Sequence, residues 1–127
     1  MKGKIFNHVG ITINILSDIK NFYVDILGIE IKNKFTLSKT ISNQIFNIEK
    51  NVEVVIAGKE DFTVELFIAA EANYRNFQHI CITVNEREKV IRETQNNDYP
   101  CYIIKRDTYD IVFIKDKSNN LFEIKKR

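Results

Sequence analysis

The chain has 127 residues with 19 basic and 17 acidic side chains, a formal net charge of +2, too near neutrality to argue for nucleic acid or an anionic membrane as partner. The length suits one domain, and a 44% hydrophobic and 28% charged composition fills a core and argues against disorder. Two cysteines, two histidines, four glycines and one proline exclude a disulfide scaffold and a Gly-rich or Pro-rich chain, so a histidine-built site must use His8, His79 or both.

The basic start Met1-Lys2-Gly3-Lys4 is followed by an apolar stretch broken by Asn7, His8, Thr12 and Asn14, a poor signal peptide. No segment approaches the roughly 18 apolar residues of a membrane span. Cys81 and Cys101 lie in strand-like runs, which suits two reduced, buried thiols and a cytoplasmic setting.

Residues 5–14, IFNHVGITIN, alternate as a strand with Val9, Ile11 and Ile13 on the core face and Phe6, His8, Gly10 and Thr12 on the other. Ser17 is placed to cap a helix in which Ile19, Phe22, Tyr23, Ile26 and Leu27 share a face, and Gly28 to end it. A strand from Ile29 to Leu37 follows. Ser38 to Ile48 fits a short helix through Ile41, Ile45 and Ile48, or a strand, with the helix preferred. VEVVIAG at 52–58 and FTVELFIA at 62–69 are strands joined by a hairpin-like Gly58-Lys59-Glu60-Asp61.

A polar linker at 71–76 precedes a restart of the pattern. Phe77-Gln-His79-Ile-Cys-Ile-Thr83 aligns without a gap with Phe6-Asn-His8-Val-Gly-Ile-Thr12, placing the two histidines 71 residues apart, with Ile80, Ile82 and Val84 on the core face. Asn85, with Glu88 in a capping box, starts a helix to about Asn96, and Pro100 opens a strand at Cys101–Lys105. Strands at 110–116 and 121–126 flank the turn Lys117-Ser-Asn-Asn120. Each half exposes an apolar face that the other must cover.

Both histidines point away from the face of branched aliphatics, beside the small Gly10 and Cys81. Near the end of each half a glutamate, Glu65 in VELFI and Glu123 in LFEIK, also faces away from its apolar neighbours. Singly, such histidines are more often structural and such glutamates solvated. Their recurrence at matching points of a repeat argues for a site. If the halves join in one curved sheet the four converge, and two imidazoles with two carboxylates suit a divalent first-row metal with open positions.

The strand with His8, FYVDILGIEI at 22–31, VELFI, the restart HICITV and the closing DKSNNLFEI resemble the vicinal oxygen chelate superfamily over essentially the whole chain. The counterparts are its FY-x-x-x-LG helix end, its I-E-L strand and its D-P-D-G-N-x-x-E-L ending. The resemblance implies an α+β fold, one domain over 1–127, with tandem βαβββ modules at 1–70 and 77–127 forming a U-shaped mixed sheet around a metal. Glyoxalase I members carry ligands at four positions, which map to His8, Glu65, His79 and Glu123. Ring-cleaving dioxygenases and fosfomycin-modifying transferases have none at the position of Glu65, and bleomycin-binding members lack the set. The last turn departs from the pattern, reading Asp116-Lys-Ser-Asn-Asn120. Arg75, Lys105 and Arg106 are the cations available for a thiol's carboxylates, without a clear counterpart in the family pattern.

The resemblance implies a metal-dependent, glyoxalase I-like lyase acting on the hemithioacetal of a 2-oxoaldehyde such as methylglyoxal. The product is a 2-hydroxyacyl thioester, reached through an enediolate. Glu65 and Glu123 are the expected catalytic bases, and Phe67 and Phe113 the expected pocket aromatics. The expected cofactor is one Ni, Co, Zn, Mn or Fe ion, with a low-molecular-weight thiol as co-substrate and a homodimer as assembly. Two alternatives share the fold: an epimerase acting on methylmalonyl-CoA, where Gln tends to replace Glu65, and a metal-free small-molecule binding protein.

Overall fold

In the computed structural model, residues 3–71, 74 and 76–127 are described. The first module comprises β1 (Val9–Ile13), a π-helical segment (Ile19–Val24), β2 (Glu30–Leu37), α1 (Lys39–Phe46), β3 (Val52–Lys59) and β4 (Phe62–Ile68). The second comprises β5 (Ile80–Val84), α2 (Arg87–Asn96), β6 (Cys101–Ile104), β7 (Ile111–Lys115) and β8 (Leu121–Lys126). The α+β repeat is therefore as expected. Of the expected linker, residues 72, 73 and 75 lie outside the described residues. Within one chain the eight strands form two four-stranded sheets, ordered β1-β4-β3-β2 and β5-β8-β7-β6. In each, the first strand runs parallel to the last and the other pairings are antiparallel.

The first helix is wound more widely than its sequence suggests. Asp25 N–H bonds Lys20 O and Leu27 N–H bonds Phe22 O, both five residues back. It ends at Val24 with Asp25 at the C-cap, earlier than the expected stop at Gly28, which closes the following turn at φ 72°, a conformation that costs glycine little. The N-cap position belongs to Asp18, not Ser17, and the Asp18 side chain does no capping because it is committed elsewhere. The ambiguous segment is helical: Ser38 Oγ accepts from Ile41 N–H at 3.3 Å, and Asn47 closes α1 at φ 58°. In α2 the start is Arg87 and Glu86 holds the cap without a side-chain bond. The capping box predicted from Asn85 and Glu88 is not formed, because the later start moves Glu88 out of the N3 position. Glu88 remains in the first turn, where its charge favours the helix dipole.

The core lies between the apolar faces of the two modules. Phe22 and Tyr23 from the π-helical segment pack on Phe122 of β8, with ring centroids 5.6 and 6.0 Å apart, and Phe22 meets Tyr99 at 5.1 Å. Val64, Leu66, Val112, Ile114 and Ile124 are buried in the same cluster. Burial of these aliphatic and aromatic side chains, each contributing roughly 1.5–3 kcal/mol, holds the modules core face to core face.

A polar network reinforces that junction. Tyr99 Oη donates to Asp18 Oδ1 at 2.6 Å, and Lys117 N–H to Asp18 Oδ2 at 2.9 Å. Tyr23 Oη donates to Asp116 Oδ2 at 2.7 Å. Asn14 N–H bonds Ser118 Oγ, and Asn120 Nδ2 bonds the Thr12 carbonyl. All five bonds link one module to the other. The backbone amides of Ser118 and Asn120 donate to Asp116 Oδ1, and Asn119 takes φ 69° where the family pattern has glycine. Burial pushes the Asp116 carboxyl up against the pull of its donors. Burial and the neighbouring Asp116 raise the Tyr23 phenol well above the usual tyrosine value.

The two cysteines are free. Contrary to expectation Cys81 is exposed, because it shares the face of His79, opposite the core. Among the described residues no helix is long and apolar enough to cross a membrane.

Candidate metal centre

The parallel ladders set the candidate ligands. Gly10 of β1 stands opposite Glu65 of β4, and Cys81 of β5 opposite Glu123 of β8. Each histidine precedes its small residue by two positions and so reaches the same face. His8 Nε2 lies 3.3 Å from Glu65 Oε1, and His79 Nε2 lies 3.7 Å from Glu123 Oε1. The pairs match in exposure too, the imidazoles at 38% and 39% and both carboxylates at 20%. The repeat thus extends from strand order to side-chain placement.

The other ring nitrogens are tied back. His8 Nδ1 is 2.7 Å from Asn7 Oδ1, and His79 Nδ1 is 2.9 Å from the Phe77 carbonyl. A carbonyl can only accept, so His79 carries a proton on Nδ1. In the neutral ring, Nε2 then presents a lone pair to the Glu123 carboxylate. Two such donors of electron pairs side by side can share a divalent cation. With metal–ligand bonds of about 2.1 Å, neighbouring donors of one ion stand about 3.0–3.4 Å apart, so both pairs fit adjacent coordination positions after small adjustment. Tying Nδ1 to an acceptor is how metal-ligating histidines are commonly oriented.

Each pair supplies only two donors. Among the described residues no group of three His, Cys, Asp or Glu side chains could hold a metal. His8 is brought to Glu65 and His79 to Glu123, but the four are not brought to one point. The reason is the core: the apolar faces of both sheets are consumed in joining the modules, which leaves the His–Glu faces on the sides turned from it.

Of the expected pocket aromatics, Phe67 borders the first pair and meets Phe46 of α1 edge-on at 5.4 Å. Phe113 meets the His79 ring at 5.5 Å. A Cβ on Gly10 would stand 3.0 Å from the Phe67 ring, so the glycine makes room for that aromatic. A cavity of about 390 Å³ opens beside His8 and Glu65 under α1, reaching Leu37, Ser42, Val52 and Glu71. Sequence reasoning missed Ser42 and Glu71. The available signal was the spacing of Ser42 to Phe46, which places both on one side of a helix. Lys105 pairs with Asp110 at 3.0 Å and Arg106 covers Tyr109; Arg75 lies outside the described residues.

The family model of the Glyoxalase/Bleomycin resistance protein/Dioxygenase superfamily matches residues 5–124. The chain belongs to that superfamily. No curated protein matches it significantly in sequence. Among solved structures, a glyoxalase family protein from Enterococcus faecalis is 21% identical with a TM-score of 0.66, over 98% of each chain. A glyoxalase family protein from Bacillus cereus is 14% identical with a TM-score of 0.74, over 98% of this chain and 96% of that one. A point mutant of the fosfomycin resistance protein FosX from Listeria monocytogenes, complexed with Mn(II) and 1S,2S-dihydroxypropylphosphonic acid, is 12% identical. Its TM-score is 0.72 over 98% of this chain and 90% of that one. At these identities the likeness establishes the superfamily fold and leaves the reaction to the residues.

Proposed function

We propose that the chain is a metal-dependent, glyoxalase I-like enzyme whose site is completed between two copies. His8 and Glu65 of one copy would meet His79 and Glu123 of the other. The observation that carries the reading is the duplicated His–Glu pair, equivalent in register, spacing and exposure, with neither pair sufficient alone. A two-fold dimer brings unlike halves together twice, giving two equivalent sites. A divalent ion there would stabilise negative charge on two oxygens of adjacent substrate carbons, which acidifies the C–H of the hydroxyl-bearing carbon next to the carbonyl.

The chain's own groups supply the proton transfer. Glu65 and Glu123 come from opposite modules and flank the site, so one can take a proton from a carbon and the other return one to its neighbour. A glutamate facing His8 distinguishes this arrangement from one with three protein ligands, and it favours the hemithioacetal of a 2-oxoaldehyde over an epoxide. A cytoplasmic enzyme using a low-molecular-weight thiol fits the free cysteines. The test is metal content after purification without chelator, with turnover of methylglyoxal across a panel of thiols and of racemic methylmalonyl-CoA. Stoichiometric metal and thiol-dependent turnover of methylglyoxal are expected. A preparation with no affinity for Ni, Co, Zn, Mn or Fe would overturn the reading.

A further inference from the structure

The two modules differ in one respect that bears on the substrate. The β2–β3 connection of the first carries α1, while β6 and β7 are joined by a short loop. α1 covers part of the His8–Glu65 face and encloses the cavity, which is large for the methyl group of methylglyoxal and in the range of a small-ligand pocket.

The wall is largely apolar but contains two polar atoms without partners among the described residues. Ser42 is 1% exposed and its Oγ makes no hydrogen bond; the Glu71 side chain is 40% exposed, but its Oε1 is covered and has no hydrogen-bond partner. A buried polar atom left without a partner is costly, so each is a reason for a complementary ligand group. Glu71 Oε2 is held by Lys50 Nζ at 2.7 Å, which fixes the carboxylate and consumes the nearby cation. Among the described residues no lysine or arginine lines the cavity, whereas Glu65 and Glu71 both do. An anionic group seated under α1, at the end of the cavity away from His8, would therefore meet the Glu71 carboxylate and no lysine or arginine among the described residues.

We propose that the cavity under α1 takes the non-reacting side chain of the substrate and selects an uncharged apolar group bearing an O–H or N–H donor, read by Ser42 and Glu71. This deepens the glyoxalase-like reading and rests on its assignment of the His8–Glu65 face to substrate. It sets the preferred substrates apart from phosphonates and adds a side-chain contact that methylglyoxal, turned over through the same site, does not make.

The test is an NMR titration of the intact protein with benzyl alcohol, toluene and phenylphosphonate, with Zn(II) affinity measured by calorimetry on the same preparation. Benzyl alcohol should bind saturably and shift amides of α1 and β4, with phenylphosphonate at least tenfold weaker. The preference for benzyl alcohol over toluene should fall about tenfold in Ser42→Ala, the loss of one hydrogen bond of about 1.4 kcal/mol, and should also fall in Glu71→Gln. An unchanged preference in both variants, phenylphosphonate binding as tightly as benzyl alcohol, or no saturable binding would overturn the proposal. Zn(II) affinity that is intact in wild type and lost in His8→Ala, beside an unchanged preference, would sink the pocket alone. A shifted preference without Zn(II) affinity would sink only the metal reading.

Discussion

If each site draws His8 from one copy and His79 from the other, two inactive variants should repair each other. In homodimers of His8→Ala every site lacks one imidazole, and the same is true of His79→Ala. In a mixed dimer, one site combines His8 of the His79→Ala copy with His79 of the His8→Ala copy and is complete, while the other lacks both. Random exchange makes half of the dimers mixed, so about a quarter of wild-type sites should return, and about half in mixed dimers isolated by two tags. The two positions immediately precede β1 and β5, edge strands of separate sheets, so neither substitution should disturb the other module. The assay is thiol-dependent methylglyoxal turnover together with bound metal per dimer, after exchange in mild denaturant. Mixed dimers with no more activity and metal than the two homodimers would refute the reasoning.

Glu65→Gln should lower kcat by about 10²-fold or more if the carboxylate moves a proton, with a smaller effect on KM; steady-state kinetics decide this. Tyr23→Phe removes the hydroxyl donor to buried Asp116 and should cost about 1–3 kcal/mol in urea unfolding. The phenol of Tyr23 is raised by burial and by Asp116, so its contribution to stability is complete below about pH 10 and is lost as pH climbs towards the raised value. Wild type should therefore lose up to about 1.4 kcal/mol per pH unit more than Tyr23→Phe there. Gly10→Val should force the Phe67 ring from its place, lower stability by about 1–3 kcal/mol through overpacking, and abolish benzyl alcohol binding in the NMR titration.

Side-chain alternation was enough to place His8, Glu65, His79 and Glu123 on the faces opposite the core, because period 2 determines which side of a strand a residue takes. It does not determine which sheet that side will meet. The expectation of a single curved sheet ran together two questions, orientation within a module and partner of the module, and only the first is local. The polar junction was illegible for a similar reason. Asp18 follows a plausible cap and Asp116 opens a turn, and both carry ordinary surface roles in sequence; their partners Tyr99 and Tyr23 are remote in the chain. Ser38 to Ile48 stayed ambiguous because TISNQIFNI satisfies both periods, and the Ser38 cap and the left-handed Asn47 decided it.

The parallel ladders that set the His–Glu pairs also join the most distant strands of each module, Val9 to Val64 and Ile80 to Phe122. Such contacts must await closure of long loops, whereas the β3–β4 and β7–β8 hairpins form from neighbouring residues. β1 and β5 are also edge strands of their sheets. Detachment of either edge strand would therefore separate a histidine from its glutamate while the hairpins stayed intact, so partial opening is expected to part the His–Glu pairs before the hairpins are lost.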